Sequence, residues 1–304
     1  MNYTNLIKNQ ISEGTLSFLR YLIRNGGPDM QDYEQFTNIV DNLDTHLIDN
    51  FREIIKESLN ENTLIGHGFV KPYGYPGDFK IIDSIYKFRI NKDIRYRNWD
   101  MFFQNQPAAH AVRNRKEYFI HECEQMLMEG RQKPKVLILG SGPATDVNEF
   151  LNIYPDANMT FDLIDFDQNA IDYARKQNEG FNGSIHYNRI NVLRFKPYKT
   201  YDLIWSSGLF DYFKEKHFLY LVKKYSSSLN KEGTFIIGNF SDINPTKNLM
   251  EVLSDWYLNH RSVEDLWRIA RQSGAKDELV TVEEEPLGIN LFLKIRSNNH
   301  LNYN

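Results

Sequence analysis

An apolar run, Val136–Leu139, leads straight into Gly140-Ser141-Gly142. Glycines at such a place let the backbone turn tightly and come close to a ligand. The helix that follows would aim its first N–H groups at the same spot. The run continues Pro143-Ala144, so the third glycine of a dinucleotide fingerprint is absent. Taken alone, the motif also describes a bare strand-to-helix turn. Asp165, 25 residues beyond Gly140, ends the next apolar run, FDLID, and Phe166 follows it. That is near the spacing at which a strand-end carboxylate accepts hydrogen bonds from ribose hydroxyls. Asp167 precedes a helical stretch and is given the capping role. After the third run come Ile190-Asn191-Val192, where a side-chain amide could meet an adenine amino group; an ordinary turn residue is the alternative. A glycine turn, an acidic strand end and an asparagine on three successive strands together point to an adenosine-bearing ligand.

In an open parallel sheet the ligand crevice lies outside the carboxyl ends of the strands. Ser206, Gly208, Asp211 and Tyr212 follow the fourth run and Asn239 the fifth, so they should border the reacting group, with Asp211 and Asn239 on the acceptor side. Trp256, Tyr257, His260 and Arg261 come later. Arg261 is the expected partner of an acidic acceptor, whereas Trp256 and Tyr257 read equally well as core. Arg113 and Arg115 lie on the helix leading into the first strand, where a guanidinium could grip a ligand carboxylate through two parallel bonds. Arg113 is preferred, against the alternative of a solvated helix face. The segment GHGFVKPYGYPGD, residues 66–78, reads as a shaped loop. It offers Tyr75 as a cover over a bound cofactor and Asp78 as a carboxylate facing it; alternatively, Pro76-Gly77 makes a turn and Asp78 caps the next helix. His110, His67 and His260 could act as general bases. None has a carboxylate partner identifiable in the sequence, and each also suits a surface or packing role. Tyr75, His110 and Tyr212 are the catalytic candidates. No cluster of histidines and carboxylates has ligand-like spacing, so no metal is expected.

The elements that must hold these residues fall into two textures. Residues 1–130 read as helical: one helix over 2–24, a long amphipathic helix over 28–59, and helices near 79–88, 99–103 and 108–128. After Gly130 short apolar strands alternate with helices, with strands expected at 136–139, 160–164, 185–191, 201–205, 233–238, 278–284 and 289–295. A helix is expected over most of 256–273. This alternation predicts an α/β fold, a parallel Rossmann-like sheet with helices on both faces, and the last two strands, joined through Pro286-Leu287-Gly288, give it an antiparallel edge. The expected division is an N-terminal all-helical cap, 1–130, and a sheet domain, 131–304.

The stretches VLILGSGPATDV, LIDFDQNAIDYA, INVL, YDLIWSSGLFDYF and LNKEGTFIIGNF resemble the motifs of class I S-adenosylmethionine-dependent methyltransferases over residues 134–296. The resemblance implies a seven-stranded sheet with an antiparallel last strand. It also implies S-adenosylmethionine as cofactor, held by Gly140, Ser141, Gly142, Asp165, Phe166, Asn191, Val192, Ser206 and Gly208, with Tyr75, Asp78 and Arg113 added from the helical part. KPYGYPGDF, AVRNRKEYF, GLFDYF and GNFSD are further similar to bacterial enzymes that make 3-hydroxypalmitic acid methyl ester. This implies a small or lipid-like acceptor, most simply a carboxylate, which is ionised at neutral pH and needs no general base. The alternatives are an O- or N-methyltransferase of an amino-acid-derived or aromatic metabolite, a non-catalytic binding protein of the same fold, and a nucleotide-dependent oxidoreductase.

The bulk properties agree with an ordinary globular chain. The 304 residues carry a net charge of -4 and 25% charged residues, so there is no basic footprint of nucleic-acid binding. The N-terminus is polar, and no run approaches the length of a membrane span. One cysteine, Cys123, allows no intrachain disulfide and suits a reducing compartment; it reads as a small buried hydrophobe. A cytoplasmic location is therefore expected. The apolar stripe of the 28–59 helix could serve the helical core or a homodimer seam.

Overall fold

A computed structural model of the chain describes residues 10–181 and 183–297. The chain divides into two compact units, one containing residues up to His110 together with Pro245–Tyr257, the other Ala111–Asn244 with residues from Leu258 onward.

The first unit is built on helices Glu13–Arg24, Tyr33–Asp41, Ile48–Ile54, Leu64–Val70, Phe79–Tyr86 and Ile94–Gln104, joined by Lys247–Ser254 from late in the chain. Part of the helix expected over 2–24, including Leu6 and Ile7, lies outside the described residues. The long helix expected over 28–59 is broken. Asn42 closes Tyr33–Asp41, its side-chain amide turning back to Asn38 O at 2.8 Å, and Asp44 is extended. The apolar spacing survives the break because Phe36 and Val40 on one helix and Phe51 and Ile55 beyond it reach the same core as Trp99, Phe102, Leu249 and Leu253. Each fully buried side chain of this size contributes about 1.5–3 kcal/mol. Arg52 Nε donates to Val252 O at 2.8 Å and Ser254 Oγ to Ile65 O at 3.1 Å, which ties the late helix in. The segment expected as loop from Gly66 begins as helix. Thr63 Oγ1 accepts from Gly66 N, and a Cβ on Gly66 would stand 2.2 Å from Asn60 N, so the glycine serves close packing.

The second unit is a seven-stranded sheet: β1 Lys135–Leu139, β2 Thr160–Asp165, β3 Ile185–Arg189, β4 Tyr201–Ser206, β5 Leu229–Phe240, β6 Val280–Glu284 and β7 Asn290–Arg296. Their order is β3-β2-β1-β4-β5-β7-β6. β1 to β5 are parallel, and β7 runs antiparallel to both β5 and β6. Alternate residues of β1 enter opposite cores: Leu137 and Leu139 join one apolar cluster, Val136 and Ile138 the other. This is the period-two signature of strands covered on both faces. Helix Pro107–Met128 precedes β1. Helices Thr145–Ile153, Gln168–Gln177, Glu215–Ser226 and Val263–Gln272 supply the crossovers. Of the helix expected over 256–273 only Val263–Gln272 forms, opened by a Ser262/Asp265 capping box. The strand order turns back between β1 and β4, and in such sheets a crevice opens at that switch point beyond the strand ends.

Candidate ligand site at the strand ends

The turn after β1 is built as its glycines require. Gly140 has φ +70° and Gly142 φ +52°, the left-handed region that glycine enters without penalty. A Cβ on Gly140 would stand 2.9 Å from Leu209 Cβ, whereas Gly142 has open space within 4 Å of that position. The turn is pinned to β2, since Gly140 N and Ser141 N both donate to Ile164 O, at 2.8 and 3.1 Å. Ser141 Oγ is buried without a hydrogen-bond partner among the described residues.

Asp165 closes β2 and organises the turn. Its Oδ2 accepts from Gly142 N at 2.9 Å and its Oδ1 from Asp167 N at 3.0 Å. Burial holds its carboxyl above the ordinary carboxylate range, and these two bonds pull the other way. A carboxylate offers about four acceptor positions, so lone pairs remain for a ligand. Asp167 is the helix cap: its Oδ1 accepts from Asn169 N at 2.8 Å. Phe166, between them, is 56% exposed. At the end of β3, Asn191 is exposed and its Oδ1 accepts from Leu193 N at 2.8 Å. Val192 is buried, its carbonyl taking Tyr225 Oη at 2.7 Å. Asn191 is thus a turn former, exposed just beyond the strand end.

The loop after β4 brings together the next group. Ser206 Oγ donates to Leu139 O at 3.0 Å, joining the ends of β4 and β1. At Gly208 a Cβ would lie 2.7 Å from Arg115 Nη1, so the missing side chain lets that guanidinium lie against the backbone. Asp211 is fully buried; its Oδ1 accepts from Phe240 N at 2.7 Å. Burial pushes its carboxyl up to about 7, against the pull of that bond, Arg115 and Arg261. Tyr212 is 39% exposed. Asn239 and Arg261 knit the same loops. Asn239 Nδ2 donates to Phe240 O and Asn259 O, and Arg261 donates to Asn239 Oδ1, Phe210 O, Asn259 O and Phe213 O. With its guanidinium against the Phe218 ring as well, Arg261 clamps these loops together.

Arg113 and Arg115, two residues apart on one helix, differ in setting. Arg113 is half-buried, and burial lowers its pKa. Arg115 is 4% exposed and sits on the apolar stripe with Val112, Phe119 and Cys123. That spacing of three, four and four was the available signal for it. Tyr75, Asp78 and His110 belong to the helical unit. There Tyr75 is half-buried and His110 exposed. Asp78 is completely buried, with its Oδ1 capping helix Phe79–Tyr86 and its Oδ2 2.7 Å from His67 Nε2. His67 thus has a carboxylate partner that the sequence did not disclose, and Asp78 is engaged by protein groups at both oxygens. Cys123 is buried, which pushes its thiol pKa up.

Residues 136–233 match the family model described as a methyltransferase domain. No curated protein matches the chain. Among solved structures, a Bordetella parapertussis protein described as a "possible exported protein" aligns with a TM-score of 0.63 and 16% identity, covering 95% of this chain and 99% of its own. The S-adenosylmethionine-dependent methyltransferase SibL, in its apo form, aligns at 0.51 with 14% identity, over 97% of this chain and 82% of its own. Magnesium protoporphyrin IX methyltransferase from Synechocystis PCC 6803, with bound SAH, aligns at 0.50 with 9% identity, over 64% of this chain and 88% of its own. At these identities the likeness is one of fold: a class I methyltransferase sheet with its antiparallel seventh strand. Among the described residues no helix is long and apolar enough to cross a membrane.

Proposed function

We propose that this chain is an S-adenosylmethionine-dependent methyltransferase whose acceptor is a small or lipid-like carboxylic acid. The observation that carries the reading is the Gly140–Gly142 turn hydrogen-bonded to Asp165, at the ends of adjacent strands within a stretch that matches a methyltransferase domain. The residues present fit the cofactor. Ser141 offers an unsatisfied hydroxyl, Gly142 an open backbone face, Asp165 spare lone pairs for the ribose, and Phe166 an exposed ring for the base. Asn191 and Val192 lie at the end of the next strand for the adenine edge. The cofactor supplies an electrophilic methyl group on a sulfonium sulfur.

The chain's own contribution is then mainly alignment of the acceptor oxygen with the carbon–sulfur bond, which can supply much of a methyl transfer's acceleration. Ser206, Gly208 and Tyr212 stand at the β4 end, where the acceptor must approach. An acid acceptor needs no proton removed, in keeping with the Asp211 carboxyl after β4 being fully buried and bonded to backbone. The resemblance of KPYGYPGDF, AVRNRKEYF, GLFDYF and GNFSD to enzymes that make a fatty-acid methyl ester supports the acid over a hydroxyl or amine. The single, buried cysteine supports a reducing compartment such as the cytoplasm.

A screen with methyl-labelled S-adenosylmethionine over fatty acids, aromatic acids, phenols and amines tests this. Label should appear as base-labile methyl ester on an acid. Labelling of amines or phenols alone would overturn the acid acceptor and leave the cofactor reading standing.

A further inference from the structure

Arg115 presents a physical problem inside the sheet unit. It is 4% exposed, and its Nε is buried without a hydrogen-bond partner. No hydrogen bond or ion pair to its guanidinium is found among the described residues. Asp146 and Asp211 are both buried within its field, yet each is bonded to backbone instead: Asp146 Oδ1 to Val147 N at 2.9 Å, Asp211 Oδ1 to Phe240 N at 2.7 Å. Taking a guanidinium out of water without a bonded partner is costly, and an arginine kept only for packing is replaceable by methionine or leucine. The position is also prepared. Gly208 lacks a side chain where one would meet Nη1 at 2.7 Å and Cζ at 3.2 Å. The loop so approached follows β4 and borders the Gly140 turn through Leu209.

We propose that Arg115, seated against Gly208, is the anchor for a ligand carboxylate at the ends of β1 and β4. The planar fork suits a carboxylate through two parallel bonds, and in this buried setting those bonds are strong. The inference rests on the methyl-transfer reading for the identity of the ligand. Two carboxylates would come to this place: the amino-acid tail of the cofactor and the acid acceptor. It moves the anchoring role from Arg113 to Arg115.

The test is calorimetry on the full chain and its Arg115→Gln variant. The probes are S-adenosylhomocysteine, decarboxylated S-adenosylmethionine, and octanoate added to the S-adenosylhomocysteine-loaded protein. A loss of about thirtyfold or more in S-adenosylhomocysteine affinity, as expected for a charge-assisted pair, with the decarboxylated cofactor unaffected, places the cofactor's tail on Arg115. An unchanged S-adenosylhomocysteine affinity with a comparable loss for octanoate places the acceptor there. Both affinities unchanged, or no octanoate binding in either protein together with unchanged S-adenosylhomocysteine affinity, overturns the proposal. The ligand-free variant should melt at the same or a higher temperature, because an unpaired buried charge is gone; a drop of several degrees would mark a structural arginine and also overturn it. Should Arg115→Gln fail to fold, Gly208→Ala displaces the guanidinium and is read the same way. Failure of the unsubstituted chain to bind S-adenosylhomocysteine at all would instead remove the methyl-transfer reading.

Discussion

Replacing Asp211 by asparagine should stabilise the folded chain at pH 8 and leave it nearly unchanged at pH 4. The carboxyl is buried and its pKa is raised from the ordinary 3.8 to about 7. Between those values the folded chain holds a proton that the unfolded chain has released. The contribution of this group to stability therefore falls as pH rises through the window, by about 1.4 kcal/mol per unit. From pH 5 to pH 7 that amounts to about 2 kcal/mol, and above pH 7 the loss levels off at about 4 kcal/mol. Asparagine is isosteric, still accepts from Phe240 N, and carries no charge to bury. Asp146 and Asp100, each raised to about 6 by burial, give slopes of the same sign in both proteins and cancel in the difference. Urea unfolding of the two proteins at pH 5, 6, 7 and 8 reads that difference directly. It should grow in favour of the asparagine variant up to pH 7 and then flatten. A difference independent of pH, or one that shrinks as pH rises, would refute the account of Asp211 as a carboxyl held near neutrality by burial.

Gly140→Ala should cost about 2–4 kcal/mol in urea unfolding, from left-handed backbone plus overpacking against Leu209; Gly142→Ala, with open space around it, should cost only the backbone share, and equal costs would contradict the packing argument. Asp167→Ala should lose about 1 kcal/mol as a missing helix cap and keep S-adenosylhomocysteine affinity, while Asp165→Ala should lose that affinity outright; the opposite pattern would exchange their roles. Asp78→Ala leaves His67 without its carboxylate and the helix Phe79–Tyr86 without its cap. It should lower stability by about 1–3 kcal/mol, and a neutral result would deny that Asp78 is structural.

The sheet was legible because its signals are local. Each strand is a short apolar run bounded by turn residues, and Asp165 and Asp167 could be told apart by their distance from the following helix. Helical connectivity was less legible. Phe36, Val40, Phe51 and Ile55 keep one spacing across a chain break, because apolar periodicity reports which side faces the core and not whether the backbone continues. The helix Lys247–Ser254 packs with residues some 200 positions earlier through Arg52 and Ile65, a relation no local window holds. At the site, the residues whose partners the sequence did not disclose are those whose contacts lie far along the chain. Arg261 meets Phe210 and Phe213 carbonyls, His67 meets Asp78, and Arg115 meets the bare backbone of Gly208. Arg115 was nonetheless detectable as a charge placed on an apolar helical stripe.

The central claim, that the Gly140 turn and Asp165 hold S-adenosylmethionine, is tested most directly by calorimetric titration of the full chain with S-adenosylhomocysteine and, separately, with NAD. The account predicts saturable binding of one S-adenosylhomocysteine per chain, lost in Asp165→Ala, and no heat of binding with NAD. Saturable NAD binding together with no S-adenosylhomocysteine binding would contradict it.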